Sequence, residues 1–211
     1  IFTNEDVIPT LGYLFQRPSD FFNAAGQTLV ASFSAMFRGA IFNTSAPTFE
    51  AGIKPFTESL RFAGPLIAAG LGIALTFRAG LFNIGGQGQL LTGAAWAAWG
   101  ATMVHLPPVL HLLFAILMGL VGAALWAGIA GFLKAKTGAH EVIVTIMMNY
   151  IAVSLTTYLM RTPVLHDMES GSNPTTRPPD PTAVFPPIFE TYHLRFSFVL
   201  CMFAVVVYWW L

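Results

Sequence analysis

The stretch AGLFNIGGQGQLLTGAAWAAWGATMVHLPPVLHLLFAILMGLVGAALWAGIAGFL, from Ala79 to Leu133, contains no Asp, Glu, Lys or Arg. A helix needs about 20 mainly apolar residues to cross a hydrocarbon core about 30 Å thick, so this run holds two crossings. Outside it charge stays scarce. Charged residues make up 9% of the 211 and hydrophobic ones 55%, where a soluble domain devotes about a quarter of its residues to charge. The charges gather before Arg78, around Lys134 to Glu141, and between Arg161 and Arg195. The gaps between them predict an all-α, polytopic transmembrane helix bundle.

The expected spans are 58–77, 87–104, 109–133, 142–160 and 196–211, the last cut by the end of the sequence. Pro65 is tolerable near the start of the first. His105-Leu106-Pro107-Pro108 ends the second in a tight turn. Residues 161–195, rich in Pro, Ser, Thr and Asn, form an expected outer loop. Residues 1–57 form an expected extracytoplasmic segment, with an amphipathic or interfacial helix between Asp20 and Arg38 and a loop at Asn43-Thr44-Ser45-Ala46-Pro47. Arg78, Lys134 and Lys136 lie on connections separated by two crossings, hence on one side, and the bias of Lys and Arg toward short cytoplasmic loops makes that side cytoplasmic. Neither a starting Met nor a signal peptide is present, and both ends look cut.

Small residues recur every fourth position at Gly64, Ala68 and Gly72, at Gly93, Ala97 and Ala101, and at Gly119, Ala123, Ala127 and Gly131. In lipid such stripes let helix backbones approach closely. Cys201 stands alone, in an apolar segment, as a small packing residue.

Polar chemistry concentrates in Phe82-Asn83-Ile84-Gly85-Gly86-Gln87-Gly88-Gln89, three amides and three glycines between two apolar helices. Two readings compete. In one, the segment is a break whose backbone and amides meet a neutral solute, with Phe82, Asn83, Gly85, Gln87 and Gln89 lining its path. In the other, it is a surface turn whose amides meet water or cap the next helix. Thr145, Asn149 and Thr156 lie near one face of the fourth span, suited to interhelical hydrogen bonding or to lining the same path.

Several functions are disfavoured. A net charge of +0 with no basic block speaks against nucleic-acid binding. The chain holds no G-x-x-x-x-G-K-[ST] phosphate loop. His105, His111 and His140-Glu141 lack metal-site spacing. No span centre carries the Asp or Glu on which many proton-coupled transporters depend.

Two longer motifs, Phe77-Arg78-Ala79-Gly80-Leu81-Phe82-Asn83-Ile84-Gly85-Gly86-Gln87-Gly88-Gln89 and Leu133-Lys134-Ala135-Lys136-Thr137-Gly138-Ala139-His140-Glu141-Val142-Ile143-Val144-Thr145-Ile146-Met147-Met148-Asn149-Tyr150-Ile151-Ala152, carry a resemblance. At this separation they resemble the permease subunits of bacterial ABC importers for nucleosides and simple sugars, a branch of the ribose and branched-chain amino-acid permease group. The likeness covers roughly residues 55–160. It implies a non-enzymatic, multi-pass subunit of the bacterial cytoplasmic membrane, surrounded by lipid, moving a small neutral solute. It further implies a second permease subunit, a cytoplasmic ATP-binding subunit that carries ATP and Mg, and an extracytoplasmic solute-binding lipoprotein. Much of the family has Glu where this chain has Gln87, so no acidic role transfers to that position. The family's main ATPase-gripping loop is expected after the last residue, so this fragment is not expected to transport alone. Lys134, Lys136, Thr137, Gly138, His140 and Glu141 would then form a secondary ATPase-facing loop. A secondary transporter or channel for a small neutral solute is the alternative. A membrane enzyme would require His105, His111 or Glu141 to converge on one site.

Overall fold

The structure, a computed structural model, describes residues 4, 5, 7–168, 171, 173–189, 191, 192 and 194–210. Parts of the expected outer loop (169, 170, 172, 190 and 193) and the last residue of the expected fifth span lie outside the described residues. Among the described residues seven α-helices follow one another: α1 (Ile8–Leu11), α2 (Pro18–Ala40), α3 (Phe49–Arg78), α4 (Gly86–Met103), α5 (Pro108–Thr137), α6 (Glu141–Leu159) and α7 (Ser197–Trp210). Among the described residues, β pairing is confined to two isolated bridges, His166 with Thr176 and Pro187 with Arg195.

The chain divides into two compact units. The first comprises residues 1–63 and 187–198. Within it the amphipathic segment forms the single helix α2, with Pro18 at its start, where a missing N–H costs nothing. The Asn43–Pro47 turn is fixed by Asn43 Oδ1, which accepts from the Ser45 N–H at 3.1 Å. After the turn α3 runs back along the end of α2. Ser59 donates its hydroxyl to the Ala40 carbonyl at 2.7 Å, and the Asn43 N–H donates to the Gly52 carbonyl at 2.8 Å. Helix α3 begins at Phe49 rather than at residue 58, and continues through Pro55 and Pro65.

The second unit comprises residues 64–186 and 199–211. Helix α4 packs against α5 and then α6. The small-residue stripes of α4 and α5 meet: a Cβ placed on Gly93 would lie 3.0 Å from the Gly119 carbonyl oxygen, and one on Gly119 would lie 3.2 Å from Ala97 Cβ. At Gly122 a Cβ would fall 2.5 Å from Trp96 Cγ, so the indole occupies the space a side chain would need. Cys201 on α7 donates its thiol to the Gly64 carbonyl at 3.3 Å.

Three described helices, α3, α5 and α6, are long and apolar enough to cross a membrane. Helix α4 occupies the expected second span but is not among them. Its Gln87, Gln89 and Thr92 and its glycines lower its mean hydropathy, while six of its residues are buried against its neighbours. Helix α7 is apolar but has 14 residues.

Both ends of α4 are satisfied from elsewhere in the unit. Its last turn offers carbonyls with no partner of their own. The Asp180 N–H donates to the Ala101 carbonyl at 3.0 Å, and His111 Nε2 donates to the Gly100 carbonyl at 3.2 Å. Asp180 begins a 3-10 turn, Pro181–Ala183, that sits on this end of the bundle. His111 is fully buried at 0% exposure, and its Nδ1 lies 2.6 Å from Thr182 Oγ1. Asp180 in turn accepts from the Thr182 N–H at 3.2 Å and faces His105 Nδ1 at 3.1 Å. The Thr182 backbone N–H and hydroxyl, joined by His105, hold the Asp180 carboxyl below the usual carboxylate range.

Candidate functional site

Helix α3 ends in a Schellman cap. Gly80 takes the left-handed conformation with φ 75°, its N–H donates to the Phe77 carbonyl, and the Leu81 N–H donates to the Thr76 carbonyl. Gly80 thus turns the chain out of the helix and delivers Phe82 to Gly85 as non-helical backbone. Helix α5 ends in the simpler left-handed motif at Gly138, φ 66°, whose N–H donates to the Lys134 carbonyl, and α6 begins three residues later. The two connections lie at one end of the unit, because Leu81, Phe82, Lys134 and Glu141 line a common cavity.

The 82–88 backbone cannot satisfy itself, and α6 supplies what it lacks. Glu141, Thr145 and Asn149 stand four residues apart, on one face of α6. Glu141 Oε1 accepts from the Phe82 N–H at 2.9 Å, while Oε2 pairs with Lys134 Nζ. Thr145 closes against the loop at Gly85, where a Cβ would lie 3.1 Å from Thr145 Cβ. Asn149 uses both ends of its amide: Nδ2 donates to the Ile84 carbonyl at 3.0 Å and Oδ1 accepts from the Gly88 N–H at 2.8 Å.

The Gly88 contact replaces a missing cap. The N-cap position of α4 is Gly85, which has no side chain to accept from the first-turn N–H groups. Asn149 reaches across from α6 and performs that task. It can do so because position 88 is glycine: a Cβ there would lie 3.0 Å from Asn149 Oδ1 and 2.8 Å from Trp126 Nε1.

Inside the loop, Asn83 Oδ1 accepts from the Gly85 N–H at 2.9 Å, an Asx turn. The Asn83 and Gln89 amides face each other at 3.3 and 3.4 Å, long bonds that leave donor and acceptor capacity on both. They stand on the wall of the cavity, about 180 Å³, together with Phe82, Thr76, Thr145 and the Lys134–Glu141 pair. Phe82 is 59% exposed and packs against the Phe77 ring at 5.5 Å between centroids.

The residues singled out in the sequence therefore separate. Phe82, Asn83 and Gln89 face the cavity. Gly85 and Asn149 hold the backbone behind it. Gln87 is exposed on the first turn of α4. On the second connection Glu141 and Lys134 reach the loop, Gly138 makes the turn, and Lys136 and Thr137 lie exposed on the last turn of α5, where Thr137 donates to the Leu133 carbonyl at 2.6 Å. His140 is the N-cap position of α6 and makes no side-chain capping bond. Thr145 and Thr156 bond carbonyls of their own helix, at Val142 and Ala152, so of Thr145, Asn149 and Thr156 it is Asn149 that bonds another segment. Among the described residues no group of three His, Cys, Asp or Glu could hold a metal ion. His105 and His111 share the Asp180–Thr182 cluster, but Glu141 lies beyond the far end of α5, with roughly 35 Å of helix rise between residues 111 and 134.

Comparison with known proteins places this arrangement. The family described as the permease component of branched-chain amino acid transport systems matches residues 56–211. The guanosine ABC transporter permease protein of Bacillus subtilis is 35% identical over 196 residues, 89% of this chain and 51% of that protein. The glucose ABC transporter permease protein of Haloferax volcanii is 45% identical over 108 residues, covering 51% of this chain and 28% of that protein. A nucleoside ABC transporter permease protein of Lactococcus lactis is 38% identical over 104 residues, 49% of this chain and 29% of that one. The chain thus spans about half the length of the Bacillus relative and less of the other two. No solved structure matches. With apolar helices long enough to cross a bilayer and a family match over most of its length, this multi-pass membrane chain belongs to the permease-component family of the branched-chain amino acid transport systems, among ABC transporter permeases.

Proposed function

We propose that this chain is part of a permease subunit through which an ATP-driven importer moves nucleosides or simple sugars across the bacterial cytoplasmic membrane. The observation that carries the reading is the family match together with relatives named for guanosine, nucleoside and glucose transport. The subunit itself transports and does no chemistry. ATP and Mg belong to a separate cytoplasmic subunit, a second permease completes the pathway, and an extracytoplasmic lipoprotein delivers the solute. The 58–211 part forms the membrane domain, and residues 1–57 lie on the outer side.

The solute path runs past Phe82, Asn83, Gly85, Gln87, Gln89 and Asn149, with unequal roles. Asn83 and Gln89 offer unspent amide capacity to hydroxyls or ring heteroatoms, and the exposed Phe82 ring offers an apolar face. Gly85 and Asn149 fix the backbone that presents them. Binding here is weak, because a permease that held its solute tightly would not release it. Among the described residues no charged group beyond the neutralised Lys134–Glu141 pair lines the cavity, which suits an uncharged solute.

Uptake of labelled nucleosides and sugars by the full-length protein with its partners, in wild type and in Asn83→Leu and Gln87→Leu, tests the assignment. Both variants are expected to assemble with the ATPase and to lose uptake by about tenfold, the effect of one lost hydrogen bond of ordinary to high strength. Normal uptake by both would remove these residues from the path.

A further inference from the structure

Apart from the long Asn83–Gln89 bonds to the first turn of α4, the polar bonds found among the described residues that tie the 82–88 loop to the rest of the second unit end on α6, at Glu141 and Asn149. The two anchors differ in place. Asn149 lies two turns inside the helix and grips the far end of the loop. Glu141 is the first residue of α6, directly after the short connection from α5, and grips the near end at Phe82. Both oxygens of its carboxylate are bonded: one takes the Phe82 N–H and the other takes Lys134 from the last turn of α5.

We propose that Glu141 is a positioning residue that transmits movement of the α5–α6 turn to the cavity wall through the Phe82 backbone, and so couples the partner ATPase to the solute path. The proposal rests on the functional reading above. Physically, the carboxylate joins three parts into one linkage: the α5 C-terminus, the α6 N-terminus and the loop that carries Phe82 and Asn83. A charge-assisted hydrogen bond to backbone has little slack, so a shift of the turn displaces residue 82 and not merely its side chain. Phe82 and Asn83 both face the cavity, and the shift therefore alters its shape directly. A glycine in the left-handed conformation lies on either side, Gly80 before Phe82 and Gly138 before Glu141.

Two functions of Glu141 can be separated by substitution. Glu141→Gln keeps an oxygen acceptor for the Phe82 N–H but gives up the ion pair. The exchange of Lys134→Glu with Glu141→Lys restores an ion pair but sets a donor against the Phe82 N–H. The readout is the amount of solute moved per ATP hydrolysed by the assembled full-length transporter in vesicles, a ratio that a general loss of folded protein leaves unchanged. Glu141→Gln is expected to keep this ratio within about twofold of wild type, and the exchange to lower it by about tenfold or more. Should the exchanged protein fail to assemble, Glu141→Ser, too short to reach residue 82, carries the same expectation. A wild-type ratio in the exchange or in Glu141→Ser, or an equal loss in Glu141→Gln, overturns the proposal. Absence of any ATP-driven uptake by the wild type would instead overturn the function on which it rests.

Discussion

At the scale of single residues, Asn149 accounts for more of this site than any residue in the glycine-rich segment itself. It serves a carbonyl and an N–H on a segment more than fifty positions earlier, and its Oδ1 stands in for the side chain that the N-cap Gly85 lacks. Replacing it by Leu leaves both groups without a protein partner. The expected cost is about 1–3 kcal/mol for the more buried Gly88 N–H, with less for the exposed Ile84 carbonyl. Asn149→Asp, which keeps the acceptor, should lose less. Thermal unfolding of the detergent-solubilised full-length protein measures both, and equal stability of Asn149→Leu and wild type would contradict the capping role. The sequence singled out Asn149 as polar and well placed, but left open whether it lined a path or bonded a neighbour. Spacing along one helix shows which residues share a face, whereas the backbone that face meets is decided by tertiary packing.

At the scale of elements, α4 explains why hydropathy alone reads this fold incompletely. Its ends are completed by other segments: Asn149 at the start, His111 and Asp180 at the finish. A helix whose ends are completed in this way can carry more polar side chains, and the expected second span is accordingly a helix without being among the three long and apolar enough to cross a membrane. The small-residue stripes on α4 and α5 were legible because close backbone approach demands small side chains at a helical period. The start of α3 at Phe49 was not, because an uncharged run marks only the part of a helix that can enter lipid, whereas residues 49–57 belong to the same helix where it is braced by α2. Nor was the His111 cluster, whose Thr182 partner lies far along the chain. Here a pH dependence follows. Asp180 has a lowered pKa in the folded state, so its contribution is present above the unfolded value of about 3.9 and is lost as pH falls through the lower folded value. Hydrogen exchange over residues 176–186 should show protection that collapses in that acid window, and Asp180→Asn should be less protected at neutral pH. Protection independent of both would show that the carboxylate does not seat this segment.

At the scale of the whole molecule, the second unit combines close-packed helices with one end at which two glycine turns, one ion pair and one cavity come together. In the proposed function the amides and Phe82 at that end pass an uncharged solute, and the energy that drives it comes from outside this chain. An energy source on another subunit is thus the central requirement of the proposed function. The most direct measurement is uptake of labelled guanosine and glucose into vesicles carrying the full-length permease with its partner subunits, supplied with ATP or with an ion gradient. Uptake of at least one solute that requires ATP, stops with vanadate and survives collapse of the ion gradient is the predicted result. Vanadate-insensitive uptake driven by the ion gradient would contradict it.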